Sequence, residues 1–183
     1  MKKIILALFA LVVSINAMAY DDELFVKSGD INIMKQENSA SFTIDFSQMK
    51  VGDLSLDEYA KTRKDADFMV NFKRDIKTGE ARFVSTYNKK SKAFKFHSDS
   101  KYAATFVLET MDMGNVGAAI FGWSASAGGI AVTGNINVTD VSTGETVLVI
   151  RVDNEKGKGM YAESARMESV FESLAKAVLK MTK

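Results

Sequence analysis

The chain has 183 residues, a formal net charge of +1, a single histidine, and neither cysteine nor proline. The absence of cysteine excludes disulfides and a lipid-modified cysteine, and one histidine without cysteine excludes a closed zinc site. The near-neutral charge argues against general attraction to nucleic acids or to anionic membranes.

The first 19 residues have the pattern of a signal peptide. Lys2 and Lys3 precede an apolar run at Ile4–Ile15, and Ala17-Met18-Ala19 forms a cleavage box. The apolar run is shorter than the ~18–20 residues that span a bilayer. We therefore predict export to the periplasm or the extracellular space, a mature chain that begins at Tyr20, and no membrane span after cleavage.

The first half of the mature chain predicts a polar lead-in followed by a strand and helices. Residues 20–38 form the lead-in, and residues 39–183 are long enough for a single domain. Alternating apolar residues at 41–46 predict a strand. Ser55 with Glu58 three positions later predicts a capping box. Helical sequence continues to about Ile76, where Lys77-Thr78-Gly79 should interrupt it, and resumes from Glu80 to Lys90.

The second half predicts a strand meander and a terminal helix. Strand-like runs lie at Tyr102–Met111, Ile130–Asp140 and Glu145–Asp153, and residues 140–145 have the composition of a hairpin turn that ends on Gly144. The last segment carries apolar residues at steps of three and four, which is one face of an α-helix. These residues are Met167, Val170, Phe171, Leu174, Val178 and Met181. Together the elements predict an α+β single domain with a twisted, mostly antiparallel sheet and helices packed on one face.

The connection at residues 113–128 is the candidate contact surface for a partner. It is rich in glycine and small residues, and it contains Ile120, Phe121 and Trp123. Long connections are either functional or loosely ordered, and a few aromatic residues carry most of the energy of many interfaces. Two interpretations stay open. These three side chains contact a partner, or they belong to the core of their own domain.

No set of catalytic, metal-binding or cofactor-binding residues can be assembled from the sequence. His97 has no second histidine or cysteine with which to build an acid–base relay, so a small envelope hydrolase is only an alternative. Gly157 and Gly159 lie between a strand and a helix, but no acidic residue on a further strand follows, as a dinucleotide site requires. Residues 87–97 mix lysines and aromatic residues, and we interpret them as a helix end followed by a strand and not as a nucleic-acid surface.

The order of elements resembles a family of small exported Gram-negative proteins of uncharacterised function. These are similar in plan to the α/β module of the curli-secretion lipoprotein and to the N-terminal domain of the Tol-system propeller protein. The resemblance covers about residues 39–180. The matching positions are Phe83, Tyr87-Asn88-Lys89-Lys90-Ser91, Lys101-Tyr102, Asp112-Met113-Gly114, Thr133-Gly134, Ser142-Thr143-Gly144, Glu163 and Arg166. It implies an α+β sheet with helices on one face, and a binding or assembly role without catalytic residues.

These observations favour an exported envelope protein that binds or assembles with a protein partner in the cell envelope. They favour a non-enzymatic role over an enzymatic one. The alternatives are the envelope hydrolase and a protein that acts at a membrane interface through residues 113–128. That segment has sixteen residues, too few for two spanning strands of about 9–11 residues with a turn. The sequence does not specify the oligomeric state.

Overall fold

The computed structural model describes residues 24–115 and 127–183. Within these ranges the strands are β1 (Leu24–Gly29), β2 (Ser39–Asp45), β3 (Lys50–Val51), β4 (Leu54–Ser55), β5 (Lys95–Phe96), β6 (Tyr102–Asp112), β7 (Ala131–Asp140) and β8 (Thr146–Lys156). The α-helices are α1 (Leu56–Thr62), α2 (Phe68–Lys90) and α3 (Glu163–Met181), and a short 3-10 helix covers Ile31–Lys35.

The strands form one mixed sheet in the order β1-β8-β7-β6-β2-β5. The long pairs β1–β8, β8–β7 and β7–β6 are antiparallel, whereas β2 pairs in parallel with both β6 and β5. The small β3–β4 hairpin extends the sheet beyond β2, where β3 pairs in parallel with β6. The predicted class, an α+β single domain with a mostly antiparallel sheet, is confirmed.

One face of the sheet is apolar and forms the core with α2 and α3. In β6 the buried residues alternate as Tyr102, Ala104, Phe106 and Leu108, which is the period of two that a half-buried strand requires. The same alternation runs through β7 and β8. The apolar stripe predicted for the last helix is buried from Met167 to Val178. The core therefore lies between one sheet face and two helices.

An aromatic cluster joins α2 to the strands β2 and β5. The rings of Phe42 and Phe83 are stacked with centroids 3.9 Å apart, and Phe96 meets both rings edge-on. The side-chain amide of Asn88 accepts a hydrogen bond from the backbone N–H of Phe96 at 2.8 Å and donates one to its carbonyl at 2.7 Å. Asn88 thus occupies the position that a further strand would take beside β5.

Two local predictions are confirmed at the level of single hydrogen bonds. The hydroxyl of Ser55 accepts a bond from the backbone N–H of Glu58, whose carboxylate accepts one from the backbone N–H of Ser55, as in a capping box. In the hairpin, the carboxylate of Asp140 accepts a bond from the N–H of Ser142 at 2.8 Å, and Gly144 has a φ of +74°. Each motif therefore forms from the residue types that predicted it.

Three expectations differ from the structure. The helix that begins after Ser55 does not continue to about Ile76, because α1 ends at Thr62 and α2 begins at Phe68. The helix does not break at Lys77-Thr78-Gly79, because α2 is continuous over 23 residues from Phe68 to Lys90. Residues 24–29, placed in the polar lead-in, form β1 and pair with β8. The pairing shifts register between Val26 and Ser28, and this bulge disrupts the alternation by which a strand is recognised.

Candidate partner-binding site

The three residues proposed from the sequence as partner contacts, Ile120, Phe121 and Trp123, lie outside the described residues. The structure describes both ends of the connection that carries them, through Asn115 on one side and from Ala127 on the other. We call these two ends the base of the connection, and the geometry of the site is described for this base.

The two ends of the connection meet where the central strands β6 and β7 end. The strands β6 and β7 stay paired as far as Asp112 and Ala131. Gly114 and Gly128 both have positive φ angles, +65° and +70°. A methyl group built on Gly114 would overlap the carbonyl oxygen of Gly128 and would lie 2.6 Å from that of Gly129. Only glycine permits both this backbone conformation and this close approach.

Buried apolar residues hold the base of the connection in the core. Met113 is 6% exposed and Ile130 is fully buried. The carboxylate of Asp112 accepts a hydrogen bond from the backbone N–H of Gly114 at 2.9 Å, which fixes the first turn after β6. The connection therefore leaves and re-enters the domain at one point, where its ends are held by buried side chains and hydrogen bonds.

Arg166, in the first turn of α3, ties this base to the helices. Its side chain is 3% exposed, and Nη1 donates a hydrogen bond to the carbonyl oxygen of Gly128 at 3.2 Å. Its Nη2 lies 3.9 Å from the carboxylate of Glu163, which in turn binds Arg63 at 3.0 Å. The buried Nε of Arg166 has no hydrogen-bond partner among the described residues. A buried guanidinium with so few partners is costly, so its position depends on the carbonyl and carboxylate that it contacts.

A polar network on the opposite sheet face is a second candidate surface. Glu109 accepts hydrogen bonds from Arg151 and Asn135, each at 2.6 Å, and thereby joins the three central strands. The carbonyl oxygen of the Asn135 side chain is buried without a hydrogen-bond partner among the described residues. The sequence did not predict this network. Alternation of apolar and polar residues shows which side chains share the polar face, but it does not show which of them pair across neighbouring strands.

His97 lies on the surface directly after β5. Its Nδ1 is 3.3 Å from the hydroxyl of Ser100, which also donates to the carbonyl oxygen of His97 at 2.6 Å. This is a local turn contact, and no acidic side chain orients the ring in the part of the chain that is described. The described residues also contain no group of three metal-ligating side chains and no helix long and apolar enough to cross a bilayer.

Comparison with known proteins gives structural likeness without a family. No family model matches the chain, and no curated protein matches it. A PelC dodecamer from Paraburkholderia phytofirmans aligns with a TM-score of 0.43 and 12% identity, over 83% of this chain and 96% of PelC. A dodecamer of a single-residue PelC variant aligns with a TM-score of 0.39 and 11% identity, over 84% and 95% of the two chains. Likeness at this level transfers no function, and the dodecameric state is a property of PelC.

Proposed function

We propose that the chain is an exported, non-enzymatic protein of the cell envelope that binds or assembles with a protein partner through residues 113–128. Ile120, Phe121 and Trp123 are the proposed contacts. The observation that supports this best is the buried base, where Gly114 meets Gly128 and Arg166 holds the Gly128 carbonyl.

A fixed base favours binding because it lowers the entropy that the connection loses when a partner orders it. The ends of the connection are already held in contact, so association does not need to close the loop. Recognition residues are commonly carried on connections supported by a rigid scaffold. The sequence between the two ends, residues 116–126, has no charged side chain, unlike an ordinary solvated loop.

Export is proposed from the N-terminal sequence and from the resemblance to exported Gram-negative proteins. Lys2, Lys3 and the apolar run precede the cleavage box at 17–19, and the proposed mature chain begins at Tyr20. Intact-mass measurement of the protein recovered from the envelope tests this part. Retention of residues 1–19 on that protein would contradict cleavage.

Site-specific photocrosslinking tests the proposed contact surface. A photoreactive benzoylphenylalanine is placed at position 121, and cells that produce the full chain are irradiated. We expect a discrete covalent adduct of higher mass from position 121. A control probe replaces Val141, which is 63% exposed in the hairpin at the other end of the sheet. Equal adducts at both positions, or an adduct at 141 alone, would contradict the proposal.

A further inference from the structure

The loop between β8 and α3, residues 157–162, carries the most exposed large apolar side chain in the described part of the chain. Tyr161 is 78% exposed, and its neighbour Met160 is 38% exposed. Single apolar residues scattered over a surface are normal and need no explanation. The position of this adjacent pair in the fold therefore decides whether it has a role.

The first half of the loop packs against the base of the connection at residues 113–128. The backbone N–H of Gly157 donates a hydrogen bond to the carbonyl oxygen of Ile130 at 2.9 Å. A methyl group built on Gly129 would overlap the carbonyl oxygen of Gly157. The two backbones are thus in direct contact, and Tyr161 follows four residues after this contact.

The second half of the loop returns to the same base. The helix α3 begins at Glu163, two residues after Tyr161. In its first turn, Arg166 donates a hydrogen bond to the carbonyl oxygen of Gly128 at 3.2 Å. Contacts before and after Tyr161 therefore place the loop beside the base of the connection.

The loop backbone is held on α3, which leaves its apolar side chains exposed. The backbone N–H of Lys158 donates a hydrogen bond to the hydroxyl of Ser169 at 2.7 Å. A methyl group built on Gly157 would lie 2.6 Å from the backbone nitrogen of Val170. A segment that is already held loses less conformational entropy when a partner binds. Tyrosine adds a large contact area with few rotatable bonds, so Tyr161 is suited to act as an anchor.

The area needed for a stable interface also points beyond the connection itself. A large aromatic side chain buries about 150–250 Å², so Ile120, Phe121 and Trp123 together would bury on the order of 500 Å². A stable interface buries about 800 Å² on each partner. A partner that contacts these three residues therefore needs further surface next to them, and the β8–α3 loop lies beside the base from which they extend.

The charges beside the loop favour a protein surface over an anionic membrane. Met160 lines a groove of about 410 Å³ together with Lys158 and Glu168, which have opposite charges. At the other end of the loop, Glu163 is paired with Arg63 at 3.0 Å. Attraction to anionic lipids requires clustered lysine and arginine residues. Tyrosine and methionine, by contrast, are enriched in the cores of protein interfaces.

We propose that the partner that binds residues 113–128 also contacts Met160 and Tyr161, with Tyr161 as a second anchor. The inference rests on the function proposed for the connection and adds the β8–α3 loop to its contact surface. The partner is a protein with an apolar pocket that accepts the tyrosine ring. A polar group at the end of the pocket would bind the phenolic hydroxyl.

Photocrosslinking from position 161 tests the inference. Benzoylphenylalanine replaces Tyr161 in one variant of the full chain and Phe121 in another, and the adducts formed in irradiated cells are identified by mass spectrometry. We expect both positions to give adducts with the same partner protein. The control probe at Val141, 63% exposed at the other end of the sheet, should not give this adduct.

A substitution in the loop tests whether Tyr161 is an anchor. With the probe at position 121, Tyr161→Ala should lower the yield of the adduct several-fold, because a few aromatic anchors carry most of the energy of an interface. Val141→Ala is the matched control and should leave the yield unchanged. Because Tyr161 is exposed, Tyr161→Ala should also leave the unfolding midpoint in urea unchanged.

The outcomes distinguish this inference from the function on which it rests. An adduct from position 121 without one from position 161, or different proteins at the two positions, would overturn the inference and leave the proposed function intact. An unchanged yield in Tyr161→Ala would overturn the anchoring role. Absence of any protein adduct from position 121 would contradict the proposed function and the inference together. Adducts between two copies of this chain, or adducts with phospholipid, would replace the protein partner by self-association or by a membrane surface.

Discussion

Gly79 of α2 lies directly against the ring of Phe171 of α3. A methyl group built on Gly79 would overlap this ring and would lie 2.7 Å from its Cε2 atom. Phe171 is fully buried, and Gly79 is buried in the middle of a continuous 23-residue helix. A glycine inside a helix costs about 1 kcal/mol relative to alanine. Here that cost is offset by the close approach of the two helices that cover the sheet.

The variant Gly79→Ala should destabilise the protein although alanine is the better helix former. Overpacking a filled core costs about 1–3 kcal/mol, which exceeds the gain in helix propensity. We expect the free energy of unfolding in urea to fall by about 1–2 kcal/mol. The control Thr78→Ala, at an exposed position of the same helix, should leave stability unchanged or slightly higher.

A second substitution separates the contact from other effects at Gly79. In the double variant Gly79→Ala/Phe171→Leu, the smaller side chain makes room for the new methyl group, so the two losses should be less than additive. Strict additivity, or an increase in stability for Gly79→Ala alone, would show that the two residues do not limit the distance between the helices.

Leu174 should be an anchor of α3. It is fully buried at the centre of the apolar stripe, and its truncation to alanine should cost about 2–5 kcal/mol. Lys176→Ala, on the exposed side of the helix, is the control and should change the free energy of unfolding by about 0.5 kcal/mol or less. Chemical denaturation of both variants measures the difference, and a larger effect of Lys176→Ala would contradict the orientation of α3.

Arg166 should stabilise the base of the connection at residues 113–128. Arg166→Ala removes the hydrogen bond to the Gly128 carbonyl and leaves space in the core, so stability should fall by about 2–4 kcal/mol. Amide hydrogen exchange should quicken most at residues 127–131. The control Arg63→Gln removes the partly exposed pair with Glu163 and the surface contacts of Arg63 with Tyr59 and Phe68, and it should cost about 1 kcal/mol or less. Equal exchange at residues 127–131 in the two variants would contradict the anchoring role.

Tyr87 should make the fold sensitive to alkaline pH. Burial raises the pKa of its phenol above the usual value, and the hydrogen bond with Thr182 opposes this shift only in part. Because the folded state holds the phenolic proton more tightly than the unfolded state, stability is retained below the unfolded pKa of about 10 and declines as the pH rises above it. Thermal unfolding between pH 8 and 11 should show this decline, and Tyr87→Phe should reduce its slope. An unchanged slope in Tyr87→Phe would assign the decline to other groups.

The sequence predicts those elements whose signal is local. The alternation in β6 and β7, the turn at Asp140 and the capping box at Ser55 each depend on residues within a few positions of one another, and each is present. The continuity of α2 could not be predicted, because the ring that accounts for Gly79 lies 92 positions away in the chain. The strand β1 was missed because its bulge breaks the period of two.

At the candidate site, too, the sequence predicts what depends on local signals and does not predict the long-range contacts. Composition and length singled out residues 113–128, and the family resemblance marked Glu163 and Arg166. The bond from Arg166 to the Gly128 carbonyl joins positions 38 apart, and no local pattern encodes such a contact. The parallel pairing of β2 with β5 and β6 is likewise set by the path of the helices between them.

The most direct test of the proposed binding role compares wild type and Trp123→Ala in one experiment, with both mature proteins used as bait in envelope extract. We predict that wild type retains a discrete partner, that Trp123→Ala loses most of it, and that the unfolding midpoints in urea are the same. In wild type, the fluorescence of Trp123 should be red-shifted and quenchable before the partner is added, and protected afterwards. A protected, blue-shifted Trp123 in the isolated protein, with a lower unfolding midpoint for Trp123→Ala, would place this residue in the core and contradict the account.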